Sequence, residues 1–224
     1  KLINSSMTLD QFKIIYWWEY VHRLLGRAIG LLFMLPLIYL TFKKKLSKKN
    51  LFSFYFILFL MLLQGFVGWY MVKSGLVDRI DVSQYRLSLH LTLAIIIFCI
   101  LFWNYLKNIS QNNFESNVKI SFYLPVIFLI ILILQISLGA FVSGLHAGQI
   151  YQSWPLMNQN YFPDDSMFSD LFSLKVFETP SLAQFIHRNV AYLMLLFFLL
   201  ILFIVFKNDE LSYLRKSAIL VFLF

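Results

Sequence analysis

Three histidines occupy matching positions in long apolar segments of the chain. His22, His90 and His187 each lie near the start of such a segment, and these three segments are predicted to cross a membrane in the same direction. The three imidazoles are therefore expected at a common depth. Ionisable side chains inside membrane spans are costly and indicate function by default, although a single membrane histidine is more often an interfacial residue. Helix bundles place cofactors between facing helices, and imidazole is the usual axial ligand of heme iron.

The residues around two of these histidines repeat. The stretch EYVHR at Glu19–Arg23 aligns with QFIHR at Gln184–Arg188, so one repeat carries a carboxylate where the other carries a neutral amide. A carboxylate in a low-dielectric site can stabilise developing positive charge or move protons, which makes Glu19 the candidate catalytic residue. The competing interpretation is an ion pair between Glu19 and Arg23, four residues apart on one helix face.

Four arginines lie close to the same histidines. They are Arg23, Arg27, Arg86 and Arg188. The planar guanidinium can form two parallel hydrogen bonds to one carboxylate. These side chains could therefore bind the two propionates of a heme. The alternative is that they extend toward lipid headgroups at the membrane boundary.

Two further segments alternate with the histidine segments and share a glutamine followed by small residues. They are Gln64–Gly68 and Gln135–Gly139. Small residues allow close approach of helix backbones, and they would also leave room for a large flat ligand. Both interpretations stay open, and each predicted hairpin has a histidine helix followed by a glutamine and glycine helix.

Composition and hydropathy give the fold class. The 224 residues are 60% hydrophobic and only 13% charged, which excludes a soluble domain, a disordered chain and a coiled coil. The sequence predicts an all-α polytopic membrane protein with a sixth span starting near Ser217. The five complete predicted spans are Tyr20–Phe42, Leu51–Val72, Tyr85–Leu106, Ile120–Val142 and Ala183–Phe206.

Charge and local signals orient these spans. The net charge of +8 is concentrated between apolar runs, as in Lys43–Lys49, and indicates topology rather than nucleic-acid binding. The lysine-rich loops are predicted to face the cytoplasm or mitochondrial matrix, and the long loop Ser143–Leu182 the opposite side.

Thr8 and Gln11 fit a capping box, and Thr179 fits an N-cap before Pro180.

Single residues and chain ends complete these expectations. The one cysteine, Cys99, is interpreted as an inert residue of an apolar run, and His146 as an ordinary loop residue. The chain does not begin with Met, and its final apolar run, Ser217–Phe224, is too short to cross a bilayer. The sequence is therefore expected to be a fragment.

Several segments together resemble the heme A synthase family of the mitochondrial and alphaproteobacterial type. They lie between residues 7 and 189 and read MTLDQFKIIYWWEYVHRLLGR, QGFVGWYMVKSGL, VSQYRLSLH, LGAFVSGLHAGQIYQSWPLM and QFIHRN. The resemblance implies two pseudo-symmetric four-helix bundles. Residues 1–107 would form the N-terminal bundle without its first span, and residues 108–224 an incomplete C-terminal bundle.

The resemblance also implies a reaction. Members of the family oxidise the C8 methyl of heme O to a formyl group by successive hydroxylation, giving heme A for cytochrome c oxidase. His22 and His90 would flank the substrate porphyrin. His187 would be one axial ligand of a heme b cofactor, with its second ligand beyond the end of this chain.

Partners and location follow from the same likeness. An electron donor such as a ferredoxin, heme O synthase and oxidase assembly factors would be partners within the bilayer of a bacterial inner membrane or the mitochondrial inner membrane. Two other classes of protein remain possible from the residues alone. One is a bis-histidine di-heme cytochrome that transfers electrons without substrate chemistry, and the other is a heme-handling assembly protein without catalysis.

Overall fold

The computed structural model describes residues 7–75, 82–109, 121 and 123–223. The regular structure of these residues is helical, apart from one antiparallel bridge between Met157 and Asn160. The principal helices are α1 (Leu9–Phe42), α2 (Lys48–Gly75), α3 (Gln84–Ile109), α4 (Tyr123–Gly144), α5 (Pro180–Lys207) and α6 (Arg215–Leu223). Helices α1 to α5 are long and apolar enough to cross a membrane, so the predicted all-α polytopic fold is confirmed.

Helix α1 begins at the predicted capping box. The backbone N–H of Gln11 donates to Oγ1 of Thr8 at 3.3 Å, and Oε1 of Gln11 accepts from the backbone N–H of Thr8 at 3.0 Å. The 34 residues of α1 continue without a break to Phe42. At 1.5 Å per residue the helix is about 50 Å long, which exceeds the ~30 Å hydrocarbon core.

The starts of α4 and α5 can be set beside the predicted spans. Helix α4 is described from Tyr123 onward, whereas the predicted start at Ile120 lies outside the described residues. Helix α5 begins at Pro180, three residues before the predicted start of the apolar span at Ala183. Proline suits the first helical position because it lacks a backbone N–H, and an N–H at this position would have no acceptor within the helix. Thr179 is the N-cap as predicted, but its side chain makes no capping hydrogen bond.

The first compact unit comprises residues 1–82 and 93–105. Its buried core brings Ile57 and Leu60 of α2 against Ile97 of α3. Beside this core, the hydroxyl of Ser53 donates to Oδ1 of Asn104 at 2.9 Å. Such a bond satisfies polar side chains that would be costly to leave without partners in apolar surroundings.

The second compact unit comprises residues 83–92 and 106–224, with α4 and α5 as its principal helix pair. The start of α3 is fixed to α4 by hydroxyl groups. Ser88 donates to the carbonyl of Ser137 at 3.1 Å, and Oγ1 of Thr92 lies 2.7 Å from Oγ of Ser137. A Cβ on Gly144 would come within 2.8 Å of the Cα of Gln84, so only glycine permits this approach.

Helix α3 contributes residues to both units. The assignment of residues 1–107 and 108–224 to two pseudo-symmetric bundles stays a prediction. The nine-residue helix α6 begins at Arg215, two residues before the predicted start of a sixth span, and the sixth span itself stays a prediction.

Candidate functional site

The best-defined candidate site surrounds His187 in the first half of α5. Its imidazole is half-buried and lies against Gly139 of α4, where a Cβ on the glycine would be 3.2 Å from the ring carbon Cε1. On the same helix, the side-chain nitrogen Nε2 of Gln135 lies 3.4 Å from Nε2 of His187. The glutamine and glycine segment singled out in the sequence therefore forms the seat of this imidazole.

Three buried polar atoms near this seat have no hydrogen-bond partner among the described residues. They are Nδ1 of His187, Oε1 of Gln135 and Oε1 of Gln184. A buried polar atom left without a partner costs roughly 1–3 kcal/mol, so folded proteins seldom retain such atoms without a functional reason. Imidazole is a common axial ligand of heme iron. His187, with the space left by Gly139 beside it, therefore fits a heme.

A long loop covers the helical turn that carries His187. Nε2 of Gln184 donates to the carbonyl of Tyr151 at 2.8 Å, and Nη2 of Arg188 donates to the same carbonyl at 2.9 Å. Nη1 of Arg188 also donates to the carbonyl of Ser153 at 2.9 Å. Residues on both sides of His187 thus fasten the loop backbone directly over the site.

The side chain of Tyr151 fixes the loop from its other side. It is only 3% exposed, and its hydroxyl donates to Oδ1 of Asp164. Burial, with the neighbouring Asp164 carboxylate, raises the pKa of Tyr151 to about 12, and the phenol is neutral at physiological pH. The hydroxyl in turn lowers the pKa of Asp164, which keeps this carboxyl ionised.

Two further contacts extend the attachment along α5. The indole N–H of Trp154 donates to the hydroxyl of Tyr192 at 2.7 Å, and the hydroxyl of Tyr161 donates to Oδ1 of Asn189 at 2.5 Å. This attachment was not predicted from the sequence. A signal was present, because Gln184, Arg188 and Tyr192 recur every four residues on one face of an apolar helix.

The first repeat adopts a different arrangement on α1. Nη1 of Arg23 lies 3.0 Å from Oε2 of Glu19, and these side chains are 42% and 58% exposed. The ion pair that competed with a catalytic role for Glu19 is therefore formed. His22 and Arg27 are also exposed on this helix. The catalytic role of Glu19 stays a prediction.

The remaining predicted site residues occupy α3 and the loop. His90 and Arg86 are half-buried on α3, and His146 is exposed with a left-handed backbone, φ 52°. His22 belongs to the first unit and His90 to the second, so their pairing around one porphyrin stays a prediction.

The described residues offer no multidentate metal site of their own. Within the described part of the chain, no group of three or more His, Cys, Asp or Glu side chains is placed to hold a metal ion. Heme iron has a simpler requirement, because the porphyrin provides four nitrogen ligands and the protein provides only axial ones.

Comparison with known proteins gives one family. The family model COX15-CtaA, described as cytochrome oxidase assembly protein, matches residues 1–224. No solved structure gives a match.

Three relatives illustrate the similarity, and each carries the name heme A synthase. The chain is 49% identical to that of Pelagibacter ubique over 211 residues, which cover 93% of this chain and 62% of the relative. It is 43% identical to that of Wolbachia pipientis over 198 residues, 87% of this chain and 56% of the relative. It is 40% identical to that of Rhizobium etli over 220 residues, 98% of this chain and 60% of the relative. The chain thus spans less than two thirds of the length of each of these relatives.

Proposed function

The chain belongs to the COX15-CtaA family of cytochrome oxidase assembly proteins, and we propose that it is a heme A synthase. In this proposal the protein is a membrane oxidoreductase that converts heme O to heme A. The C8 methyl of heme O is oxidised to a formyl group by successive hydroxylation followed by loss of water. The name shared by relatives at 40–49% identity supports this activity.

The observation that carries the proposal is the seat of His187 against Gly139. We assign His187 as one axial ligand of a heme b, which supplies a redox-active iron when bound. Gly139 leaves room for the imidazole, and Gln135 faces the ring nitrogen that would bind iron. The buried polar atoms without partners support a ligand at this position.

The proposed substrate site uses residues that the sequence and the family likeness single out. His22 and His90 would hold the substrate heme, and Glu19 would supply a carboxylate for charge stabilisation or proton transfer. Arg23 orients this carboxylate through the 3.0 Å contact with Oε2. Arg27 and Arg86 remain candidates for binding the propionates.

Arg188 was predicted as a fourth propionate ligand. In the structure its two terminal nitrogens donate to loop carbonyls, so its described contacts support a second task, attachment of the loop. Nη1 also donates to the carbonyl of Leu156 at 3.5 Å. Two of the five N–H groups therefore remain for other acceptors, and binding of a propionate stays a proposal.

Location and partners are proposed at the same level. The five apolar helices establish a multi-pass membrane protein. We propose a bacterial inner membrane or the mitochondrial inner membrane, with the lysine-rich loops on the cytoplasmic or matrix side. Heme O is the proposed substrate. A ferredoxin-like electron donor, heme O synthase and cytochrome c oxidase assembly factors are proposed partners.

Analysis of extracted hemes tests the activity. The full-length protein is expressed with a supply of heme O, and the hemes are separated after extraction. Hydroxylated heme O and heme A are expected. Unchanged heme O together with an intact redox spectrum would overturn the proposal in favour of an electron-transfer cytochrome.

A variant of the assigned ligand tests the heme b site separately. His187→Ala should remove the low-spin heme b signal from the absorption spectrum of the full-length protein. His146→Asn is the matched control, because this histidine is exposed in the loop and asparagine tolerates its left-handed backbone. An unchanged heme b signal in His187→Ala would show that the ligand is assigned wrongly.

A further inference from the structure

We propose that Gln184 is a positioning residue for His187, whose amide oxygen accepts a hydrogen bond from Nδ1–H of the imidazole, directly or through one water, when iron is bound at Nε2. This inference rests on the proposed heme-binding role of His187. It gives a chemical role to the residue that replaces a carboxylate in the second repeat.

The orientation of the Gln184 amide is the first argument. The side chain is 94% buried, since only 6% is exposed, and its Nε2 donates to the carbonyl of Tyr151 at 2.8 Å. A carbonyl oxygen only accepts hydrogen bonds, so the NH₂ group must face Tyr151. The amide oxygen Oε1 is consequently turned away from the loop, where it is buried without a partner among the described residues.

A complementary donor lies one helical turn further along α5. A neutral imidazole that binds iron through Nε2 must carry its hydrogen on Nδ1. Nδ1 of His187 is likewise buried without a partner among the described residues. Residues three apart share a helix face, and helical side chains lean toward the N-terminus, so His187 extends over the turn that contains Gln184.

The two residues that contact this imidazole, Gln135 and Gly139, and its chain neighbour Arg188 do not fill the role. Gln135 contacts Nε2, which is the nitrogen that iron would take. Gly139 has no side chain, and the guanidinium of Arg188 has donors but no acceptor. Among these neighbours, only Gln184 presents an acceptor without a partner on the face of α5 that carries His187.

The inferred bond has a chemical consequence. A heme or metal ligand histidine commonly donates its second N–H to a carbonyl, carboxylate or water, which fixes the ring and raises the basicity of the ligating nitrogen. A more basic ligand favours the ferric state and lowers the reduction potential. The reduction potential of the heme should therefore depend on the acceptor strength of the side chain at position 184. It should be highest with the thioether of Met, intermediate with the amide of Gln and lowest with the carboxylate of Glu.

Redox titration of the full-length, heme-loaded protein tests this inference. Gln184→Met retains the length of the side chain and removes the acceptor, so the midpoint potential should rise and heme affinity should fall roughly 10-fold or more. Gln184→Glu introduces a stronger acceptor, so the potential should fall. Gln152→Met, at an exposed glutamine of the covering loop, is the matched control and should leave both quantities unchanged.

The direction of the two shifts separates positioning from a merely structural role. Shifts in the same direction, or potentials equal to that of the unchanged protein, would overturn the inference. If Gln184→Met retains no heme, the direction of the Gln184→Glu shift decides the question. Retention of the low-spin signal in His187→Ala would overturn the proposed heme ligand itself. Loss of that signal together with unmoved potentials would overturn only the role of Gln184.

Discussion

The imidazole of His187 lies so close to Gly139 that a Cβ on the glycine would approach the ring carbon Cε1 to 3.2 Å. This relationship links α5 to α4 at the position where the sequence predicts a heme ligand and a small residue. The ring also approaches Gln135, one turn earlier on α4. The glycine therefore provides the space that the imidazole of His187 occupies beside α4.

Substitution of this glycine should impair the heme site. In Gly139→Ala the new methyl group forces the imidazole to shift, and such overpacking typically costs about 1–3 kcal/mol. We expect heme b affinity to fall roughly 10-fold, as measured by heme titration of the purified protein, because about 1.4 kcal/mol corresponds to that factor.

Gly65→Ala is the control for this change. Among the described residues, no atom outside the surrounding helix backbone lies within 4 Å of a Cβ built on Gly65 of α2. Alanine is also the better helix former. Its heme b affinity should equal that of the unchanged protein. Equal affinities in both variants would show that the space beside His187 is not limiting.

Removal of the Glu19 charge should slow the reaction and leave the fold intact. The ion pair with Arg23 is exposed, and such pairs contribute about 0–1 kcal/mol to stability. Glu19→Gln should therefore retain heme and unfold at nearly the same denaturant concentration. Formation of hydroxylated heme products should be at least ~10-fold slower, as expected for loss of a charge-stabilising or proton-transferring group.

Asp10→Asn is the matched control on the same helix. Asp10 lies 3.4 Å from Nζ of Lys13 and forms a second exposed ion pair. Its removal should leave turnover unchanged. Normal turnover in Glu19→Gln would remove Glu19 from the mechanism and leave its ion pair as its only described role.

The contact between Tyr151 and Asp164 should make the loop sensitive to pH only at the extremes. The lowered pKa of Asp164 means that its contribution to stability is present above the ordinary aspartate pKa and is lost as pH falls through the lowered value. The raised pKa of Tyr151 means that its contribution is present below pH ~10 and is lost as pH rises through about 12. Loop protection should therefore be constant from about pH 5 to 9.

Limited proteolysis of the loop measures this effect. Tyr151→Phe should increase chymotrypsin cleavage within residues 151–172 roughly fivefold at neutral pH, because one hydrogen bond is lost. Asp164→Asn should remove the acidic limb of the pH profile. Asp165→Asn, at an exposed neighbour bonded by Ser166, should preserve it. An identical profile for both Asn variants would assign the acidic limb to other groups.

The fold could be predicted from the sequence to a large extent. Long apolar runs gave the five membrane helices, since a bilayer leaves few alternatives to a helix of about 20 residues. The capping box at Thr8 located the start of α1, because its two hydrogen bonds are local. Helix α5 begins at Pro180, before the predicted apolar span. Hydropathy does not mark this start, because a helix extends beyond its apolar part wherever its backbone hydrogen bonds are satisfied.

The site was less accessible to sequence reasoning. Spacing placed Gln184 on the face of His187 and, separately, on the face of Arg188. It could not supply their partner, because Tyr151 lies 33 residues from Gln184 in the chain. A backbone carbonyl is present at every position and leaves no mark in the sequence. For the same reason the analysis could not anticipate that Arg188 bonds to Ser153.

The attachment of the loop through peptide carbonyls has a practical consequence. Since Gln184 and Arg188 bind main-chain oxygens, the exposed side chain of Gln152 takes no part in these bonds. Position 152 can therefore accept a cysteine-linked fluorophore or spin probe next to the turn that carries His187. Such a reporter would sense the environment of the loop without altering the hydrogen bonds that attach it to α5.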